Sequence, residues 1–465
     1  MLKVPQEGVL NQGGMPPVSS PHLKRMKSFF YRTEKFKNCF LIEQYMEPYD
    51  IFEEWDVYAK KKQLIDRDVN LKTFINNSKL KIVALTGIRR SGKTSILMLL
   101  AQTLAAEGKP VCYINLEDNR LRNRDNILDE TIKWFGDKGF MLLDEITAIP
   151  DWEGWLARTH ELLKGQLGLI ISSSRKNIAR PNKPLRGRML PYELYPLSFQ
   201  EFLNFQHVPL EKTTSARGKL EKTFDLYQQY GGYPEITLTK PPIEKIRILN
   251  SYFRDIIALD VAEMAHEDIS IVDIFSRYIV QSPYFSASKC LNYFKSLGYK
   301  IGKEKILYLE QYAQAAYLFF FVPVFSYKIK DRTQYPRKAY CGDVGFTYST
   351  LGKVEKGRIY ENLVYIELKR RTQGQQDICY WKNKEGLETD FIVKQGSDIK
   401  EIIQVVYDLE NGDTRKREIN GVVSCAKELN INKGTIITNT VAETQTIQNI
   451  KITFIPLMQW LLMKK

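Results

Sequence analysis

The stretch Ala84–Leu97, ALTGIRRSGKTSIL, decides how this chain is read. Two glycines, Gly87 and Gly92, bracket four residues, and Lys93 and Thr94 follow at once. The pattern G-x-x-x-x-G-K-[ST] marks a phosphate-binding loop when a strand precedes it and a helix follows. Both flanks qualify. Lys81–Leu85 (KIVAL) is a short apolar run suited to a buried parallel strand. Thr94–Glu107 (TSILMLLAQTLAAE) combines strong helix formers with apolar residues at helical spacing, and Gly108 supplies a stop. Glycines let such a loop curl so that successive N–H groups point at phosphate oxygens, aided by the positive end of the helix dipole. The nucleotide-binding residues are then Gly87, Ile88, Arg89, Arg90, Ser91, Gly92, Lys93, Thr94 and Ser95. Lys93 would reach the β- and γ-phosphates and the Thr94 hydroxyl would ligate Mg²⁺, so the expected cofactors are ATP and Mg²⁺. The alternative is a glycine-rich basic turn before a helix.

Hydrolysis needs more than a loop. Phe140–Glu145 (FMLLDE) is an apolar strand that ends in two acids. In a parallel sheet, strand ends beside the phosphate loop converge on the nucleotide. Asp144 is then placed to hold Mg²⁺ through water, and Glu145 to orient or deprotonate the attacking water. Two acids at a solvated strand end are the plainer alternative. Further strands, Val111–Leu116, Leu169–Ser172 and Tyr192–Tyr195, alternate with helical segments, which predicts an α/β fold on a parallel sheet. Ser172 or Ser174 would contact the γ-phosphate or its water. The basic stretch ending at Arg188 offers Arg186 and Arg188 as candidates for an arginine finger, in cis or from a neighbouring subunit. A solvated basic loop, or one that meets DNA phosphates, explains the same residues equally well.

The chain has 465 residues, 43% of them hydrophobic, which points to several domains. A net charge of +14 suits an anionic partner such as DNA, with a protein client as the other class; the oligomeric state is left open. Six scattered cysteines without a C-x-x-C pair fit a reducing compartment and argue against a zinc site or disulfide scaffold. No apolar h-region opens the chain, and Ala315–Phe325 is too short to span a bilayer and reads as a buried strand. A cytoplasmic protein without a membrane partner is expected. The start is rich in Pro, Gly, Ser and Gln and reads as a disordered tail, with Met26 an alternative to Met1 as first residue.

Four motifs together, LTGIRRSGKT (Leu85–Thr94), LLDEI…PDWEGWL (Leu142–Leu156), LRGRMLPYELYPLSFQEFL (Leu185–Leu203) and YGGYPE (Tyr230–Glu235), carry a family resemblance. It extends through GRIYENLVYIEL (Gly357–Leu368), LETDFIV (Leu387–Val393) and IIQVVYDL (Ile402–Leu409). The chain resembles the AAA+ ATPases of archaea and bacteria whose C-terminal half was long called a domain of unknown function. The resemblance covers nearly everything after about residue 60. The three serines at 172–174 depart from the Thr-Gly-Ser arrangement of relatives, which leaves the identity of the sensor residue open. The resemblance implies an ATPase core with a helical lid. The expected organisation is a tail (1–28), a lead segment (29–80), the ATPase core (81–200), the lid (201–265), a winged-helix-like region (266–340) and a nuclease-like domain (341–465).

Within the winged-helix-like region, Gly298 and Gly302 mark a turn between two helices, the second from about Lys303. A basic wing (Lys328, Lys330, Arg332, Arg337, Lys338) is the candidate DNA contact, with a protein interface or a solvated wing tip as the alternatives. From Cys341 on, the chain resembles the PD-(D/E)xK nuclease fold, in which helix and strand acids hold Mg²⁺ and a strand lysine positions water. Glu361 matches the helix acid and Asp390 the first strand acid, a second metal site by resemblance. Gln404 and Val406 stand where an acid and the lysine belong, so a degenerate domain is expected, unless Lys369 or Lys394 substitutes.

Overall fold

The computed structural model describes residues 47–122, 124–174, 183–211, 213–327, 335–353 and 355–463. The tail at 1–28, the start of the lead segment, and Lys328, Lys330 and Arg332 lie outside them. Two helices, α1 (Pro48–Lys61) and α2 (Leu71–Ser78), precede β1 (Ile82–Thr86), and α3 (Lys93–Ala106) follows it. Next come β2 (Val111–Asn115), α4 (Ile127–Phe135), β3 (Gly139–Asp144), α5 (Trp152–Leu162), β4 (Leu167–Ser173) and β5 (Met189–Glu193). All five strands pair in parallel in the order β2-β3-β4-β1-β5. The interior strand β1 is buried on both faces, which is why IVALT reads as a continuous apolar run.

Val83 and Leu85 pack with Ile96 and Leu100 of α3 and Phe74 of α2 on one face. Ile82 and Ala84 pack with Leu128, Trp155 and Phe52 on the other. Register sets the site: Leu85 lies beside Ser172, and Asn115 beside Asp144. The C-terminal ends of β1, β3 and β4 therefore meet along one edge. The strand expected at Tyr192–Tyr195 begins three residues earlier and ends two earlier, because Pro191 is tolerated on an edge strand.

Helices α6 (Phe199–Phe205), α7 (Thr214–Tyr230), α8 (Pro234–Leu238) and α9 (Pro242–Asp255) form the region expected as a lid. Ser198 and Glu201 close a capping box on α6. Gly231 ends α7 at φ +75°, with the Asp343 carboxylate filling the space of a side chain, and Pro234 starts α8. α9 runs into a π-helical turn, Ile256–Ala262.

Next follow α10 (Ile269–Gln281), β6 (Tyr284–Phe285), α11 (Ala287–Ser296), α12 (Lys303–Ala315), β7 (Phe319–Val322) and β8 (Arg337–Cys341). Their strands form a sheet in the order β6-β8-β7. After α13 (Val344–Leu351) and α14 (Lys356–Thr372), a mixed six-stranded sheet is built from β9 (Asp377–Lys382), β10 (Glu388–Gln395) and β11 (Asp398–Val405). It is completed, beyond α15 (Gly412–Glu428), by β12 (Lys433–Thr438), β13 (Glu443–Ile447) and β14 (Ile450–Pro456), before α16 (Leu457–Leu462). One apolar cluster runs from Ile88 and Tyr195 to Leu461, so the regions expected as lid, winged helix and C-terminal domain share a core. Among the described residues no helix is long and apolar enough to cross a membrane.

Candidate nucleotide site

The loop between β1 and α3 is held from outside. Gly87 sits at φ +152°, and a Cβ there would lie 2.0 Å from the Leu194 carbonyl oxygen. Gly87→Ala is expected to cost about 1–3 kcal/mol and to distort the loop, read as a lower Tm and weaker ATP binding together. Arg67, from the lead segment, braces the far side. Its Nη1 donates to the Ser91 carbonyl at 2.8 Å and its Nε to Glu201 Oε1 at 2.6 Å. Burial alone would raise the Glu201 carboxyl, but Arg67 and Arg370 hold it below its usual range.

Lys93 is buried, and its Nζ donates to the carbonyls of Gly87 (3.0 Å) and Ile88 (3.2 Å). Burial lowers its pKa, opposed by Glu145, Asp144 and Asp260. The Ser91 hydroxyl is buried without a hydrogen-bond partner, a polar group left over inside the loop. Thr94 is exposed in the first turn of α3, with Ser95 beside it. A loop with an ammonium folded over it, an unused hydroxyl and an exposed Thr94 fits a polyphosphate with its cation.

Asp144 ends β3, fully buried. Its carboxylate accepts from Tyr113 Oη at 2.8 Å and from Ser172 Oγ. Glu145 follows in the left-handed region, φ 50°, and its N–H donates to Ser172 Oγ at 3.0 Å. Its Oε2 accepts from the Ser174 N–H at 3.2 Å. Burial raises the Glu145 carboxyl; Lys93 pulls it down and Asp144 pushes it up. A carboxylate tuned upward suits a general base. Ser174 Oγ also lies 3.4 Å from Asp260 Oδ1 of the π-helical turn, and Asp260 takes a two-pronged contact from Arg89. Lys93, Asp144, Glu145 and Ser174 thus lie together.

Arg188 does not join them, which corrects its role as a finger acting in cis. Its carbonyl accepts from the Ile82 N–H, at the opposite end of β1 from the loop. A five-residue strand separates the two ends by roughly 16 Å. Its guanidinium donates to Pro184 O at 2.7 Å and pairs with Glu161 at 3.1 Å. Arg186 is exposed in the same turn. The Arg188 side chain does not face the loop.

The second metal site is corrected too. Glu361 and Asp390 do come together, but around an ammonium. Lys338 Nζ lies 2.6 Å from Asp390, 2.9 Å from Glu388 and 3.4 Å from Glu361. Tyr340 Oη donates to Glu361 at 3.0 Å. Gln404 accepts the Asp390 N–H at 3.0 Å and donates to Glu418 at 2.7 Å. Burial disfavours the charged Lys338, yet Asp390 and Glu361 outweigh it and keep the amine protonated. Lys338 is therefore not a solvent-facing DNA contact, since buried carboxylates demand a paired cation. Arg337, the other described wing residue, pairs with Glu310. Lys369 and Lys394 pair with Glu193 and Asp377 and do not replace the missing strand lysine. Among the described residues no group of three metal-ligating side chains is poised for an ion.

Sequence reasoning does not mark Arg67 or Asp260, and it places Lys338 on a DNA-binding wing and not in an acid cluster. Asp260 carries a usable signal, a lone acid inside the apolar run IIALDVA. Lys338 alternates with Tyr340 on one face of a strand, another hint of burial. Nothing local marks Arg67.

Residues 79–203 match a family model described as an AAA domain. Residues 221–356 match a domain of unknown function, DUF8612, and 356–460 another, DUF4143. Neither description carries the nuclease-like expectation for the C-terminal region. "Uncharacterized protein MJ1544" of Methanocaldococcus jannaschii is 31% identical over 384 residues, spanning 80% of this chain and 84% of that one. This chain belongs to the same family, and in it an AAA domain is joined to a DUF4143 region. A protein of Haemophilus influenzae is 24% identical over 86% of this chain and 99% of its own length. Among solved structures, AMPPCP-bound DnaA from Aquifex aeolicus is 15% identical, over 54% of this chain and 95% of that one, with a TM-score of 0.26. The STAND protein PH0952 from Pyrococcus horikoshii is 14% identical, over 68% and 47%, with a TM-score of 0.28. Overlaps of that size carry no argument about this chain.

Proposed function

We propose that this protein binds ATP with Mg²⁺ and hydrolyses it to ADP and phosphate, at a site formed by the loop 87–95, Asp144, Glu145 and Ser174. The observation that carries this reading is the meeting of Lys93, Asp144 and Glu145 beyond the C-terminal ends of β1 and β3, the two strands that flank β4 in the parallel sheet. Lys93 and the loop N–H groups hold the phosphates, Thr94 and Asp144 the cation, and Glu145 takes the proton of the attacking water. A cavity of about 510 Å³ between β1 and the lead segment, with apolar walls from Val69, Phe74 and Leu85 and charged ones from Arg67 and Glu193, offers a slot for the base. Arg370 and Leu462 of the C-terminal region also line it.

The units of this reading are the ATPase core 81–200, the lid 201–265, a winged helix 266–340 and a C-terminal domain 341–465. The helix–strand–helix–helix–hairpin order of 269–341 favours a winged helix, and the net charge of +14 favours DNA over a protein client as its partner. The C-terminal domain is a metal-free relative of the PD-(D/E)xK fold. A helix, three antiparallel strands, a helix and a parallel strand support that reading, and Lys338 stands in for the cation.

Lys93→Ala tests the central proposal. Removing the cation at the loop is expected to abolish tight ATP binding in equilibrium titration, while the circular dichroism spectrum stays that of the wild type. Wild-type ATP affinity in the variant would exclude the loop as the phosphate site. Phosphate release measured with single-stranded, duplex and branched DNA tests the partner.

A further inference from the structure

Arg89 lies in the middle of the phosphate loop, yet its side chain is held by the lid. Nε and Nη2 each donate at 2.9 Å to the two carboxylate oxygens of Asp260, a planar two-pronged pair. The Asp260 side chain is 1% exposed and sits in the π-helical turn Ile256–Ala262. Turns of that kind are frequent at functional sites. Two further carboxylates face the same guanidinium. Glu117 lies 3.8 Å from Nη1, and Glu145 adds to the field that keeps the group charged. Arg90, by contrast, is exposed and stacks over the Tyr252 ring at 5.5 Å. Only 21% of the Arg89 side chain is exposed, so it sits partly sheltered from water, beside the water-activating carboxylate.

A guanidinium binds a phosphate with the same fork that it offers a carboxylate. We propose that Arg89 is the residue that reads the terminal phosphate of a nucleoside triphosphate, and that Asp260 is its partner when that phosphate is absent. This rests on the ATP reading above and adds to it a cation within the loop and a link to the lid. Moving Arg89 from Asp260 to phosphate leaves Asp260 buried without its cation. A buried carboxylate that loses its partner is costly, so the turn at 256–262 opens to water or shifts. Because Asp260 also touches Ser174, and the Ser174 N–H holds Glu145, the same exchange resets the group that activates water.

The test uses the full chain and two ligands, a non-hydrolysable ATP analogue and ADP, in equilibrium titrations. Arg89→Ala is expected to weaken the triphosphate by ~10-fold or more and to leave ADP within about twofold. Asp260→Asn keeps the shape of the side chain but removes the competing charge, so triphosphate affinity is expected to rise severalfold with ADP unchanged. In the wild type, amide exchange at 256–262 should quicken with the triphosphate and not with ADP, and in Asp260→Asn it should be fast throughout. Arg89→Lys, which keeps the charge and loses the fork, should fall between wild type and alanine. Equal losses for both ligands in Arg89→Ala would make the residue a mere brace for the loop and overturn the proposal. So would a drop in triphosphate affinity in Asp260→Asn. If the wild type binds neither ligand, the ATP reading itself fails, an outcome distinct from both of these.

Discussion

Glu145→Gln is expected to bind ATP about as well as the wild type and to hydrolyse it ~10²–10⁴-fold more slowly, the usual cost of losing a general base. Glutamine keeps the length of the side chain and its bond from the Ser174 N–H, so the strand end should not move. What it loses is the ability to take a proton. Burial raises the Glu145 carboxyl, which makes the carboxylate a better base than one in water. Asp144 differs in kind. Its two oxygens are already engaged by Tyr113 and Ser172, a geometry suited to holding a hydrated cation in place. Asp144→Asn should therefore weaken Mg²⁺-dependent binding instead. Multiple-turnover phosphate release beside binding titrations separates the two effects. Normal turnover in Glu145→Gln would move the water-activating role to another residue.

The candidate nucleotide site is legible in the sequence because its signals are local. Gly87, Gly92, Lys93 and Thr94 fall within eight consecutive residues, and a strand and a helix frame them. Asp144 and Glu145 could be paired with them because parallel strands bring their C-terminal ends together whatever the intervening chain does. A cis role for Arg188 turns on sheet pairing and not on a local signal: Arg188 precedes β5, and the pairing of β5 with β1 sets it at the end of the sheet away from the loop. Partners distant in sequence stayed invisible. Arg67 meets Glu201 across 134 residues and Arg89 meets Asp260 across 171, and no periodicity links such positions. The acid cluster was half legible: the helix and strand carboxylates were placed, but the lysine between them comes from a neighbouring sheet. Net charge misled there, because Lys338 counts toward a basic surface yet is buried.

Lys338→Met should destabilise the protein by ~3–5 kcal/mol, the usual cost of removing one partner from a buried ion pair. Methionine fills much the same volume, so packing alone would cost far less. The loss instead comes from Asp390 and Glu361, left without a cation beside Glu388, which keeps only its half-exposed partner Lys382. In the wild type, burial and then Glu361 already push the Asp390 carboxyl up to about 7, against the pull of Lys338. Without Lys338 it must rise further, and Glu388, which Lys338 helps to hold low, rises with it. Raised folded-state values mean that the native protein binds more protons than the unfolded chain, so stability falls as pH rises through this range. The deficit of the variant should accordingly be largest above about pH 7 and shrink toward pH 5, as read from urea unfolding at a series of pH values. Mn²⁺ is expected to stabilise the variant, where Asp390 and Glu361 have lost their cation, and to leave the wild type unchanged. Neither protein should cleave linear or junction DNA, because Val406 cannot position water as the missing lysine would. A deficit independent of pH would show that Lys338 acts through packing, and cleavage lost in Asp390→Ala would restore the nuclease.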